Sequence, residues 1–161
     1  MRAVPVDEPM LGEGPDYADA FEVRVDEPDG RTPEEWARAG LEEAPVALRR
    51  LILVVHRHIL RLRLDRRSDA HHVLAWPVTL STADVVRLQA CGPLIRGEIV
   101  GRRDDPTSLV LTTAVHLQRP AARLVWRAVA PLHRRVTRYL LAYAAERATA
   151  PGPTGRCPTG R

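Results

Sequence analysis

With 161 residues, 45% of them apolar and 27% charged, the chain is long enough for one domain with its own core and too apolar for a disordered one. No apolar run can cross a bilayer: the longest, Leu51 to Val55, is flanked by Arg49, Arg50 and Arg57. The formal net charge of +4 is unevenly placed, with thirteen acids and four arginines through Pro45 and seven acids and twenty arginines from Val46 onward.

Residues 1–15 are acidic and contain proline. They lack the basic start and apolar stretch of a signal peptide, so they are expected to form a flexible arm on a cytoplasmic protein. The single domain is expected to span residues 16–147. From Tyr17 the pattern alternates: Tyr17, Asp19, Phe21, Val23 and Val25 share one strand face, Glu22 and Arg24 the other. Asp26 to Gly30 carries turn residues. Thr32-Pro33-Glu34-Glu35 then predicts a helix start, with Thr32 as cap, Pro33 in the first turn and Glu35 completing a capping box. Pro45 interrupts, and Val46 to Ile59 predicts a second short helix with Leu48, Leu51, Ile52, Val55 and Ile59 on one stripe.

A run of strands follows a polar connection at residues 66–70. Leu74, Trp76, Val78 and Leu80 alternate, and Pro77 argues for an edge position or a bulge. Val86, Leu88 and Ala90 alternate next, Gly92-Pro93 marks a turn, and Leu94 to Gly101 is a third stretch whose inward face is ambiguous. After a turn at Asp104-Asp105-Pro106 comes the cleanest alternation of the chain, Leu109, Leu111, Thr113, Val115 and Leu117, with His116 on the opposite face. Pro120 opens a long helix whose apolar positions are Val125, Val129, Leu132, Val136, Leu140 and Tyr143. Pro131 is expected to kink it. Residues 148–161, rich in proline and glycine, predict a disordered tail.

This order of elements points to an α+β fold in which a curved antiparallel sheet is closed by two short helices and a long C-terminal helix, with room for a cavity between sheet and helix. Residues of the catalytic types do not assemble into a signature. There is no phosphate-binding glycine loop, no dinucleotide fingerprint and no nucleophile elbow. His56 with His58, and His71 with His72, are badly spaced for one metal ion, and Cys91 and Cys157 complete no metal set. No cofactor and no metal site are expected. His133, two residues after Pro131, either faces the cavity, where it would bond a ligand or act as a base, or is satisfied by the carbonyl that the kink frees. Asp19 either sits in water at the strand end or lies inward and needs a partner such as Tyr17 or an arginine.

Every basic side chain among the 24 is arginine, and asparagine is also absent. Both missing residues use A-rich codons, so a GC-rich genome accounts for the bias without nucleic-acid binding, and nucleic acid is not the expected partner. The expected use of the charge asymmetry is pairing of the acidic with the basic segments. The alternative is an anionic partner.

Four segments carry a resemblance: Asp16-Tyr17-Ala18-Asp19-Ala20-Phe21, Thr32-Pro33-Glu34-Glu35-Trp36-Ala37, His72-Val73-Leu74-Ala75-Trp76 and Pro131-Leu132-His133-Arg134-Arg135. They resemble an uncharacterised actinobacterial family of the START-like helix-grip superfamily, also called the SRPBCC or polyketide cyclase clan, over residues 16–147. The resemblance implies the same order of elements as the residues themselves. It also implies the superfamily's usual role of holding lipids, sterols, hormones or polyketides, with catalysis in a minority.

The function expected from these observations is non-enzymatic binding of a small hydrophobic, lipid- or polyketide-like molecule in a pocket of about 300 Å³ or more. Trp76, Leu111, Thr113, Val115, Trp126 and Val129 are the candidate lining residues, with His133 and Asp19 as polar anchors. Two alternatives stay open: a cyclase/aromatase-type enzyme with His133 or Asp19 as acid/base, and an interaction module using the arginine-rich surface from Arg57 to Arg67.

Overall fold

The alternating segments pair into one antiparallel sheet, and the helical segments fold back across one of its faces. The strands are β1 (Arg2–Val4), β2 (Tyr17–Arg24), β3 (His72–Val73), β4 (Trp76–Ser81), β5 (Val85–Cys91), β6 (Ile95–Asp105) and β7 (Ser108–Leu117). The helices are α1 (Pro33–Leu41), α2 (Val46–Val54) and α3 (Pro120–Ala148), and a π-helical turn, Val55–Ile59, continues α2. The computed structural model describes residues 1–6, 11, 14–65 and 69–148. The expected tail, apart from Ala148, lies outside the described residues, as do parts of the expected arm.

The strand order is β1-β2-β7-β6-β5-β4-β3. Register follows the side-chain pattern, because a slip by one residue would turn every apolar side chain outward. Phe21 pairs with Leu111, Leu111 with Gly101 and Gly101 with Val86, so all four share the inward face. This resolves the ambiguous third stretch: Ile95, Gly97, Ile99 and Gly101 point inward. His116 points outward beside Glu98, at 3.6 Å. Together with α1, α2 and α3 on the inner face, this curved sheet makes the helix-grip architecture.

Local chemistry starts α1 as the sequence requires. The Thr32 side chain accepts from the Glu35 backbone N–H, and the Glu35 carboxylate accepts from the Thr32 N–H at 2.7 Å. Thr32→Ala is expected to cost about 1 kcal/mol in chemical denaturation, and an unchanged midpoint would show that the cap contributes nothing. Gly40 lets α1 approach α3: a Cβ there would lie 3.4 Å from the Leu140 carbonyl oxygen. Trp36 and Ala39 pack with Leu141 and Ala144 at this crossing. Arg31 fixes it from one end by stacking over Trp36 at 4.4 Å and donating to the Ala144 carbonyl at 3.1 Å.

Several expectations are corrected. Arg2–Val4, placed in a flexible arm, is an edge strand on β2, and Arg2 donates to Glu22 across it at 2.5 Å. Three residues give too short an alternation to read from sequence. Leu74 and Ala75 are not strand residues: they form the tight turn between β3 and β4, with φ of 44° and 71°. Neither is a glycine or asparagine, so the usual turn signal is missing. α2 does not bury the whole predicted stripe. Ile52 and Val55 are buried, while Leu51 and Ile59 are 43% and 46% exposed. The π turn, closed by the Leu60 N–H on the Val55 carbonyl at 2.9 Å, changes the helical phase after Val55. The face of α3 is likewise rotated. Ala122, Trp126, Thr137, Leu140 and Ala144 are buried, whereas Leu132 is 41% exposed.

Charge pairing also differs from expectation. Glu22 bonds Arg2 and Arg24, Glu34 bonds Arg38, and Glu98 bonds Arg87, all within the same half of the chain. Contacts between the halves are fewer, among them Arg147 with Glu43 at 2.7 Å and Arg134 with Asp19 at 3.9 Å.

Candidate functional site

The inner face of the sheet and the helices over it enclose a cavity of about 100 Å³. Its walls are mostly apolar: Leu111, Val115, Ile95 and Ile99 from the sheet, Trp36 and Leu41 from α1, and Leu140 and Leu141 from α3. It is smaller than the few hundred Å³ expected, because aromatic rings stand inside it. Trp76 lies flat enough against β6 that a Cβ on Gly97 would come within 2.9 Å of its ring. Trp126 and Trp36, 6% and 5% exposed, fill two more sides.

Few polar groups reach this space, and each is placed by the fold. Ile52, His56 and Leu60 all line it, since α2 and the π turn present them successively to the sheet. The Trp76 indole N–H donates to His56 Nδ1 at 3.2 Å, and the two rings meet edge to face at 5.3 Å. Burial, and secondarily the charge of His133, pushes the His56 pKa down to about 3. His56 is therefore neutral near pH 7, and with Nδ1 accepting, its proton sits on Nε2. Thr113 and Thr137, both 6% exposed, add hydroxyls.

A second group of polar side chains meets at the junction of β2 and α3. Alternation along β2 puts Tyr17 and Asp19 on the inner face, and the helical phase of α3 turns Trp126 and His133 toward them. The Tyr17 hydroxyl donates to Asp19 Oδ2 at 2.6 Å, and the Arg134 guanidinium donates to the Tyr17 oxygen at 2.9 Å. Burial, reinforced by the Asp19 carboxylate and opposed by Arg134, raises the Tyr17 pKa to about 12, so the phenol keeps its proton. Tyr17 and His133 flank Trp126 at ring separations of 5.0 and 5.4 Å. His133 Nε2 stands 3.6 Å from Asp19 Oδ1, longer than a hydrogen bond. Three buried polar atoms here have no hydrogen-bond partner: Trp126 Nε1, His133 Nε2 and Asp19 Oδ1.

Of the residues singled out from sequence, Trp76, Leu111, Thr113, Val115, Trp126 and His133 line the cavity. Val129 does not. It lines a neighbouring groove between α2 and α3. Asp19 stands behind His133 instead of on the wall. It is not in water at the strand end: its side chain is 13% exposed and bonded to Tyr17. The structure gives His133 Nε2 no backbone carbonyl as partner. His56 and Trp36 are lining residues that sequence reasoning missed. For His56 the signal was the four-residue step Ile52, His56, Leu60, which metal-ligand spacing does not bring out. Among the described residues, no three metal-binding side chains cluster.

Chemically, the site is a mostly apolar cage with three indoles, of which the Trp126 N–H has no partner, and two imidazoles at its edge. It can hold a small ring and offer it a hydrogen bond. His133, backed by a carboxylate, can also exchange a proton with a bound molecule.

No family model matches this chain, and no curated protein matches it. Among solved structures it is similar to the di-domain ARO/CYC BexL from the BE-7585A biosynthetic pathway, at 14% identity and a TM-score of 0.43, covering 84% of this chain and 51% of that one. The chain thus spans about half the length of that di-domain protein. It is also similar to TTHA0849 from Thermus thermophilus, at 14% identity and a TM-score of 0.36, covering 82% of this chain and 97% of the other. Its own strand order and the placement of α1, α2 and α3 make it an α+β protein of helix-grip architecture.

Proposed function

We propose that the protein binds a small, mainly apolar molecule that carries one hydrogen-bond acceptor, in the cavity between the sheet and α3. The observation that carries this reading is the free indole N–H of Trp126, a residue only 6% exposed on a mostly apolar wall. A buried donor without a partner costs about 1–3 kcal/mol, and a ligand acceptor recovers that cost. Size supports no more than a single small ring, since an apolar cavity of roughly 150 Å³ takes up benzene and this one holds about 100 Å³. Larger polyketide-like or lipid-like ligands would need α2 or a tryptophan ring to move aside.

The test compares two compounds of nearly equal shape, acetophenone and ethylbenzene, by calorimetry and thermal shift. Acetophenone should bind about fivefold tighter or more, and Trp126→Phe should erase that difference while leaving ethylbenzene binding little changed. Absence of binding by both compounds would sink the proposal. So would equal binding of the two to the unsubstituted protein.

A second reading is favoured by one observation, the approach of Asp19 to His133 at 3.6 Å. In that reading His133 acts as acid or base on the bound molecule, with Asp19 as its orienting carboxylate. A bound compound recovered chemically changed from the protein, but unchanged from Asp19→Asn, would establish it. Recovery unchanged from both leaves binding alone.

A further inference from the structure

Beside the cavity runs a groove between α2 with its π turn and the middle of α3. The two spaces share a wall, made by Ile52, His56, Leu60, Trp126, His133 and Val136. The helices that border the groove carry large aliphatic side chains in water, among them Leu51, Val54, Ile59 and Leu132, which are 43%, 51%, 46% and 41% exposed. That placement reverses the usual arrangement of a helix surface, where exposed positions are polar.

The same two segments have an extreme charge pattern. Residues 46–64 hold five arginines and no acid, and residues 120–145 hold five arginines and no acid. Some of these charges have other work: Arg49 and Arg57 bond backbone carbonyls, and Arg134 bonds Tyr17. Arg50, Arg61, Arg63, Arg127, Arg135 and Arg138 are exposed, and none of them forms an ion pair among the described residues. Of the N-terminal carboxylates, Glu22, Asp29 and Glu34 stay with arginines of their own half, while Asp19 approaches Arg134 and Glu43 meets Arg147.

We propose that this face of the molecule docks on an anionic lipid bilayer, with the groove turned toward the membrane. Exposed arginines fit the phosphates and the negative surface potential of such a bilayer. The interleaved leucine, valine and isoleucine side chains fit the boundary between headgroups and acyl chains. A nucleic acid would match the arginines but offers no apolar layer for these aliphatic side chains, so the lipid surface is the partner that uses both features. No helix of the described residues is long and apolar enough to cross a membrane, so the association is peripheral. The docking does not depend on whether the cavity holds a ligand.

The experiment is co-sedimentation of the full chain with vesicles of phosphatidylcholine alone and of phosphatidylcholine with phosphatidylserine, at low and at raised salt. Binding is expected to the phosphatidylserine vesicles and to fall with salt. The double variant Arg50→Glu with Arg135→Glu should weaken it roughly tenfold or more. Leu51→Ser with Leu132→Ser should weaken it as well, and all four positions are exposed enough for the fold to persist, which circular dichroism checks. Arg119→Glu, outside both segments, should bind as the parent does. No binding to phosphatidylserine vesicles at low salt would overturn the proposal. Equal loss from Arg119→Glu would overturn it too, as would tighter, salt-sensitive binding to duplex DNA or RNA that the serine variants leave unchanged.

Discussion

Replacing Gly92 by alanine is expected to destabilise the protein by about 3 kcal/mol or more, which for a domain of this size lowers the melting temperature by roughly 10 °C. The cause is close packing of backbone on backbone. A Cβ at Gly92 would lie 2.2 Å from the Arg61 carbonyl oxygen, 2.8 Å from its carbon and 3.1 Å from Leu62 Cα. None of these atoms belongs to a side chain that can swing away. The segment they belong to is held at both ends: the Leu62 N–H donates to the His56 carbonyl and the Arg63 N–H to the Cys91 carbonyl, each at 2.9 Å. Arg61 already occupies the left-handed region, at φ 54°. Relaxation would therefore displace Leu60 and Leu62, which are 3% and 5% exposed, and with them the wall of the cavity. Two controls separate crowding from other effects. Gly30→Ala, with nothing within 4 Å of the new Cβ, should change stability little. Arg61→Gly, which removes a side chain from a left-handed residue, should be neutral or stabilising by under about 1 kcal/mol. A Gly92→Ala protein within about 0.5 kcal/mol of the parent by denaturant titration would refute the clamp.

Gly92 also shows where sequence reading stops. The Gly92-Pro93 pair correctly marked a turn, but the reason for glycine there is not a positive φ. It is the approach of the backbone at Arg61 and Leu62, far earlier in the chain, which no local pattern records. The same division holds across the fold. Alternation from Leu109 to Leu117 and the cap at Thr32 were legible because period-two burial and capping are local in sequence. The π turn was not, because one added residue in a helical circuit leaves no compositional mark. Its effect falls after Val55, where Leu60 is buried and Ile59 is left 46% exposed. On α3 Ala144 is buried against Gly40, and Ala122 and Ala130 are buried in the core cluster around Trp126, while Leu132 is not buried. A hydrophobic stripe judged by side-chain size misses that.

The site was legible in part for the same reason. Leu111, Thr113 and Val115 followed from strand alternation, and Trp76 and Trp126 from large aromatic rings at inward positions. The pairing of Asp19 with Tyr17 on one strand face, an i and i+2 contact, was within reach of sequence. The meeting of Asp19 with His133 was not, since the two are far apart in the chain and only the register of β2 on β7 and the phase of α3 bring them together. His56 was set aside because its partner, Trp76, lies across the cavity and not beside it in sequence.

His56 leads to the second large expected effect, a loss of stability in mild acid that this one residue controls. Its pKa in the fold is about 3, against 6.5 for the ordinary side chain, chiefly because burial penalises the charged ring. Between these values the unfolded chain binds a proton that the folded protein refuses, so stability rises with pH across that window. The contribution is complete above about pH 6.5 and is lost on acidification, reaching about 2 kcal/mol by pH 5. Protonation would break the fold at a definite point: Nδ1 could no longer accept from the Trp76 indole, and a second positive charge would face any proton on His133. His56→Asn keeps an acceptor for Trp76 and does not titrate. The variant should be flatter with pH, its unfolding free energy falling by about 2 kcal/mol less than the parent's between pH 7 and 5. Glu22, Asp29, Glu34 and Asp69 also have lowered pKa values, held by their hydrogen bonds to neighbouring side chains and backbone, but their losses come at lower pH and are common to both proteins. The difference between the two curves therefore isolates His56. Parallel curves from pH 7 to 5 would mean that the imidazole takes up its proton inside the folded protein, and that the cavity wall on which it sits is open to water.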